Sequence, residues 1–359
     1  MSDTRPVFFY STGTAFTPTV VFEDGKLRVD YIGIGADDTN VVTVAGLNGK
    51  TAPFTGGVTN DPFPVLLNSD LWESVKVPYL ASAFPMSNSI QGGVDWIINY
   101  VNNIMEAGRP WGVGGTSQGA AVASQIYKQV QSGTAFSTAR KNAFLTGVCF
   151  GNPMRQTNFT NPWSSYSGAF DNPGSTTGGH GSFPASYRLT NCNQNNWIEF
   201  TNPAEPISGV GDTPLGSWWQ ASNGAFLVQT IVTPGAPGSF AFNFATFLLG
   251  VGTSLLSLGL PFFPNYIDEI AKITNPGFAG YTGPGPITDA IGKVFQLPGG
   301  GHVIYATNKP FGYSGTETAY QLALGYLEGI AKQYAVSSSV LPPASSVAGW
   351  STTLRAPAA

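Results

Sequence analysis

The stretch Trp111-Gly112-Val113-Gly114-Gly115-Thr116-Ser117-Gln118-Gly119-Ala120 decides the fold. It carries G-x-S-x-G at 115–119, between a short strand-like run and the helix-like run Ala120-Ala121-Val122-Ala123-Ser124-Gln125-Ile126-Tyr127. A strand that turns sharply into a helix pushes a serine Oγ out of the sheet, and the flanking glycines leave room for neighbouring backbone. The N-terminus of the following helix aims N–H groups at a developing negative charge. A chain with 45 Gly in 359 residues meets such a pentapeptide by chance, so the strand and helix around it and the partners of Ser117 must carry the reading.

Outward from this turn, strand-like and helix-like segments alternate. Val7–Tyr10 and Val41–Val44 read as strands. Ser89 reads as the cap of a helix to Ala107 that buries Val94, Ile97, Ile98, Val101 and Ile104. Trp111–Gly114 is a strand, followed by the Ser117 turn and a helix to about Val130. Ala143–Phe150 and Trp197–Thr201 are further strands, and Thr316–Ala335 is a last helix with Tyr320, Leu322, Leu324, Leu327, Ile330 and Tyr334 available for burial. This alternation implies an α/β protein with a mostly parallel sheet flanked by helices. The expected organisation is one domain over 1–335 and a Ser/Pro/Ala-rich tail over 336–359.

Composition narrows the function. Only 10% of residues are charged and the net charge is −4, against about 25% charged in an ordinary domain. No basic run exists to hold nucleic acid. Residues 213–267 contain no Asp, Glu, Lys or Arg, and 239–263 is apolar over a length that could span a bilayer. Its glycines, polar residues and lack of basic flanks favour buried helices, then a lipid-facing lid, over a membrane span. Cys149 and Cys192 form no metal pattern; Cys149 reads as a buried thiol, and a disulfide with Cys192 stays open. Met1–Pro6 lacks a signal-peptide pattern, so the chain is expected to be made in the cytoplasm and to reach any outer target by another route.

An activated serine needs an imidazole base, and the base needs an acid that fixes its tautomer. Of the two histidines, His302 lies late, in Gly299-Gly300-Gly301-His302-Val303-Ile304-Tyr305, matching the chain order Ser, acid, His of such sheets. His180, in Gly178-Gly179-His180-Gly181, reads as a surface or substrate-loop residue. Among the acids between Ser117 and His302, Glu205 follows the strand Trp197–Thr201 on the loop Asn202-Pro203-Ala204-Glu205-Pro206-Ile207, with Asp212 the second candidate; Glu199 should lie within the strand. Oxyanion donors are expected from the backbone of Gln118 and of the turn Thr12, Gly13 and Thr14. No metal and no cofactor are expected.

Several segments together resemble the lysin B family, esterases that mycobacteriophages and related phages use against the host envelope. These are Phe8-Phe9-Tyr10-Ser11-Thr12-Gly13-Thr14, Pro78-Tyr79-Leu80-Ala81-Ser82-Ala83-Phe84-Pro85-Met86, Gly115–Ala120, Phe150-Gly151-Asn152-Pro153-Met154-Arg155-Gln156, Glu205 and His302-Val303-Ile304-Tyr305. They stand in family order from about residue 7 to 310. The resemblance implies a cutinase-like α/β-hydrolase with an apolar helical insertion before the histidine. It implies a Ser117–His302–acid triad that cleaves the ester between mycolic acids and arabinogalactan. The partner would be a mycolyl ester or lipid in the cell envelope, with peripheral lipid contact and action after release from the host or on the virion. The chain departs from the family at Glu205, where Asp is usual, at Thr116, where Tyr is common, and in the extra residues around Val41–Phe63 and in the tail. A general cutinase-like lipase and a virion structural protein that keeps the fold remain the alternatives.

Overall fold

The computed structural model describes residues 4–13, 15–23, 26–33, 42–54, 61–81, 86–163, 178–201, 207–212 and 304–340. Among the described residues five strands make one parallel sheet: β1 (Val7–Ser11), β6 (Glu73–Lys76), β7 (Trp111–Thr116), β8 (Phe144–Phe150) and β9 (Trp197–Phe200), in the order β6-β1-β7-β8-β9. Two antiparallel hairpins stand apart from it: β2 (Ala15–Glu23) with β3 (Lys26–Gly33), and β4 (Val42–Ala45) with β5 (Thr51–Phe54). The chain is therefore α/β as its alternation predicts, but the expected strand at 41–44 belongs to a hairpin and not to the sheet. The edge strand β6 and the hairpin β2–β3 have no counterpart in the sequence reading. In β6 the side chains alternate between half-buried and exposed, so Glu-Ser-Val-Lys carries no apolar run to mark it.

Helices cover both faces. On one side α2 (Met86–Asn99) and α3 (Gln118–Gln131) pack on Val7, Phe9 and Val113. On the other, the short α1 (Phe63–Leu66) and α5 (Ala319–Val340) pack on Phe8, Tyr10, Val148 and Phe150. Between α3 and β8 lies the short helix α4 (Thr138–Asn142). Burial of every side chain in β1, on both faces, explains why Val-Phe-Phe-Tyr reads as a continuous apolar run.

Helix boundaries moved where local chemistry decided them. Ser89 is not a cap: α2 starts three residues earlier, and Ser89 is buried inside it. A π-helical turn at Tyr100–Ile104 ends this helix. The extra residue per turn shifts the apolar face, so Met105 is buried and Ile104 is 60% exposed. The last helix starts at Ala319 and not Thr316, because Thr318 and Gln321 form a capping box. The Thr318 N–H donates to Gln321 Oε1 (2.9 Å), and the Gln321 N–H donates to Thr318 Oγ1 (3.2 Å). It then runs to Val340, five residues into the expected tail. The rest of the tail and the apolar 213–267 segment lie outside the described residues. Among the described residues no helix is long and apolar enough to cross a membrane.

Candidate active site

The chain runs from β1 out to β6 and then returns across β1 to β7, so the winding reverses between β1 and β7. In an open α/β sheet the crevice at the carboxyl ends of such a strand pair is where ligands bind. Ser117 follows the last residue of β7, and Thr12 and Gly13 follow the last residue of β1.

Ser117 has φ 58° and ψ −122°, a left-handed conformation that costs a non-glycine residue of order 1–3 kcal/mol. The turn is held on both sides. The Ser117 N–H donates to the Phe150 carbonyl at 2.9 Å, and the Ser117 carbonyl accepts from Ala120 N–H at 3.0 Å as α3 begins. Ser117 is only 9% exposed. The two motif glycines are required by close approach. A Cβ on Gly119 would lie 2.0 Å from the Ser11 carbonyl oxygen and 2.5 Å from that of Thr12, and one on Gly115 would lie 2.4 Å from Gly119. These contacts bring the Ser11–Gly13 turn directly onto the start of α3. The two backbone segments expected to supply oxyanion donors thus lie side by side; Thr14 itself is outside the described residues. Tyr79 adds a brace, its hydroxyl donating to the Thr12 carbonyl. The buried Gln118 side chain accepts from Ser89 Oγ at 3.0 Å, which ties α2 to the residue after the serine.

Glu205 and His302 lie outside the described residues, but the flanks of the Glu205 loop do not. Thr201 Oγ1 and Ser208 Oγ are 2.7 Å apart. Arg155, fully buried, donates from Nε to the Ser208 carbonyl (2.5 Å) and from Nη1 to the Phe159 carbonyl (3.0 Å). Ser182 N–H donates to the Ile207 carbonyl, and His180 and Val210 exchange backbone hydrogen bonds, each at 2.8 Å. The segment Gly151–Arg155 thus anchors both the 178–183 loop and the stretch that follows Glu205.

His180 is not a surface residue: its side chain is fully buried. Its Nε2 lies 3.1 Å from Oδ1 of Asp212, and its Nδ1 lies 2.8 Å from the Gly181 carbonyl. Both neighbours are acceptors, so the neutral ring donates its one N–H to one of them, as its tautomer decides. Burial holds this imidazole below the ordinary histidine value, helped by the Arg188 charge and opposed by Gly181 and Asp212. Asp212, with a 78% exposed side chain, has its carboxylate on His180. Cys149 and Cys192 are free thiols, and burial pushes both well above the usual range, so both stay protonated.

Two carboxyl groups beside this site carry interactions that no motif announces. Glu199 does lie within β9, and it is buried against Trp197 and Asn152. Asp61 is buried beneath Thr116, the residue before the serine. Asp61 precedes the serine in a stretch without local pattern, so only the tertiary contact reveals it.

The chain is thus an α/β fold with a parallel sheet wound in this order, a strained serine at a strand–helix turn and the β1 turn packed against it. No protein-family model matches the chain. No curated protein matches it. Among solved structures it is similar to lysin B from Mycobacteriophage D29, at 17% identity and a TM-score of 0.45, over 90% of this chain and 99% of that one. It is similar to a cutinase-like protein from Cryptococcus sp. at 15% identity and a TM-score of 0.34, over 71% and 95%. A third is the catalytic core domain of acetyl xylan esterase from Trichoderma reesei, at 14% identity and 0.34, over 62% and 96%.

Proposed function

We propose that the protein is a serine carboxylic-ester hydrolase acting through an acyl-enzyme. The observation that carries this reading is the left-handed Ser117 at the switch point of the sheet, with the β1 turn packed on the first turn of α3. Such a turn stores strain in order to present a hydroxyl, and the adjacent backbone can receive the oxyanion. Ser117 attacks the ester carbonyl. His302 takes the serine proton and returns it to the leaving alcohol oxygen, and Glu205 orients His302. Gln118 and the Thr12–Thr14 turn supply the oxyanion N–H groups. His180, whose ring nitrogens face the Gly181 carbonyl and Asp212, and Asp212, with its carboxylate beside His180, are less suited to these roles.

The substrate we favour is the mycolyl ester of arabinogalactan, on the strength of the Gly-Asn-Pro-Met-Arg and Phe-Pro-Met segments and the charge-free 213–267 stretch, which would shelter long acyl chains. The enzyme would then act on the outer envelope of an actinobacterial host, after release or from the virion. Hydrolysis of p-nitrophenyl esters of short and long chains, by the protein and by Ser117→Ala side by side, tests the reading. Turnover should fall on the order of 10³–10⁶-fold in Ser117→Ala and in His302→Ala. Near-unchanged turnover in either folded variant refutes the triad. A short-acyl optimum with no mycolate released from cell-wall material would replace the mycolyl substrate by a general ester.

A further inference from the structure

Asp61 collects four hydrogen bonds from four parts of the chain. Its Oδ2 accepts from the Tyr10 hydroxyl at 2.6 Å and from Thr116 Oγ1 at 2.5 Å. Its Oδ1 accepts from the Tyr320 hydroxyl at 2.6 Å and from the Phe63 N–H at 2.9 Å. Tyr10 and Thr116 are themselves 2.8 Å apart. The carboxyl group is buried, and the Tyr10 and Tyr320 rings that donate to it pack with Phe63 and Phe150 in one ring cluster.

The identity of the donors gives this knot its meaning. Tyr10 stands two residues before Thr12, at the end of β1 where the oxyanion turn begins. Thr116 is the residue before Ser117. Tyr320 is in the first turn of α5, the helix that follows the His302 segment. A single side chain therefore touches the strand leading to the oxyanion turn, the strand leading to the nucleophile and the helix after the base. These segments are up to about 310 residues apart in sequence, and the sheet itself hydrogen-bonds only the first two to one another.

We propose that Asp61 is a positioning residue: through Thr116, Tyr10 and Tyr320 it sets the register of the nucleophile, the oxyanion turn and the first turn of α5 against one another. The proposal rests on the reading of Ser117 as a nucleophile. Thr116 is the lever. Its hydroxyl is fixed by Asp61 while the next peptide is held by the Ser117 N–H to Phe150 bond, so the left-handed turn is clamped from both sides. A misplacement of about 1 Å at a reacting group lowers turnover by on the order of 100-fold. A purely structural knot would instead lower the melting temperature and leave turnover per folded molecule unchanged.

The test uses the full chain and p-nitrophenyl butyrate, well below each variant's melting temperature. Asp61→Ala and Thr116→Val should lose kcat by on the order of 10- to 100-fold with KM within about twofold. Thr116→Ser, which keeps the hydroxyl, should stay within about threefold of the parent. Wild-type kcat in folded Thr116→Val or Asp61→Ala overturns the proposal; if Asp61→Ala does not fold, the Thr116 pair decides. Hydrogen exchange gives a readout independent of activity. In Asp61→Ala or Thr116→Val the amides of 7–12, 113–120 and 319–326 should exchange faster while those of β9 keep their protection, and unchanged exchange at all three segments also overturns it. If the parent protein shows no Ser117-dependent turnover, the esterase reading falls, and the exchange measurement still decides whether Asp61 holds the three segments.

Discussion

Replacing Glu199 by Gln should remove a pH dependence of stability that the structure assigns to one carboxyl group. Glu199 is 3% exposed in β9. Its Oε1 accepts from Trp197 Nε1 at 2.6 Å and from Asn152 Nδ2 at 2.8 Å, while Oε2 is buried with no hydrogen-bond partner. Burial pushes this carboxyl from 4.5 up to about 7, against the opposing pull of Trp197, the Arg155 charge and Asn152. The folded state therefore holds the proton more tightly than the unfolded chain. Stability from this group is fully present below about pH 4.5 and is lost as the pH rises to about 7. Holding the proton from 4.5 up to about 7 corresponds to about 3 kcal/mol. Glutamine keeps the Oε1 acceptor and cannot ionise, at a cost of about 1 kcal/mol for an unpaired N–H. Urea unfolding of both proteins at pH 4.5, 5.5, 6.5 and 8 isolates this group, because every other titration is shared. The stability of Glu199→Gln relative to the parent should rise by about 3 kcal/mol across that range. A difference that stays constant with pH would refute the reasoning.

Other outcomes follow from packing. Gly119→Ala puts a Cβ 2.0 Å from the Ser11 carbonyl, backbone against backbone. It should destabilise the fold by about 3 kcal/mol or more and cut esterase activity in whatever folds, read by circular dichroism melting and p-nitrophenyl ester turnover. Phe63→Ala empties the centre of the ring cluster formed with Phe8, Tyr10, Phe150 and Tyr320 and should cost about 3–5 kcal/mol by denaturant titration. Cys149 is fully buried; with its thiol held protonated, it should react with a thiol reagent at pH 8 only after unfolding. Fast labelling of Cys149 in the native protein would contradict the packing of β8 on α3.

The sequence by itself determined the class of the fold and the strand–helix turn at Ser117. Runs such as Val7–Tyr10 and Ala143–Phe150 are apolar throughout because strands of a sheet covered on both faces bury every side chain. The Gly-x-Ser-x-Gly turn is legible because its glycines answer a contact between residues near in space and fixed in spacing, and Ser117 does adopt the strained conformation it implies. Glu199 could be placed in its strand for the same reason. What sequence could not reach were features without period or motif. The edge strand Glu73–Lys76 is half exposed and polar. The π-helical turn at Tyr100–Ile104 moves burial from Ile104 to Met105 by one inserted residue. His180 looks like a loop histidine, yet it is buried between Gly181 and Asp212. Asp61 reaches Thr116, Tyr10 and Tyr320 across separations of 55, 51 and 259 residues. Local patterns record what a residue needs from its own helix or strand. A buried carboxyl group needs donors, and only the folded chain decides which distant segments supply them.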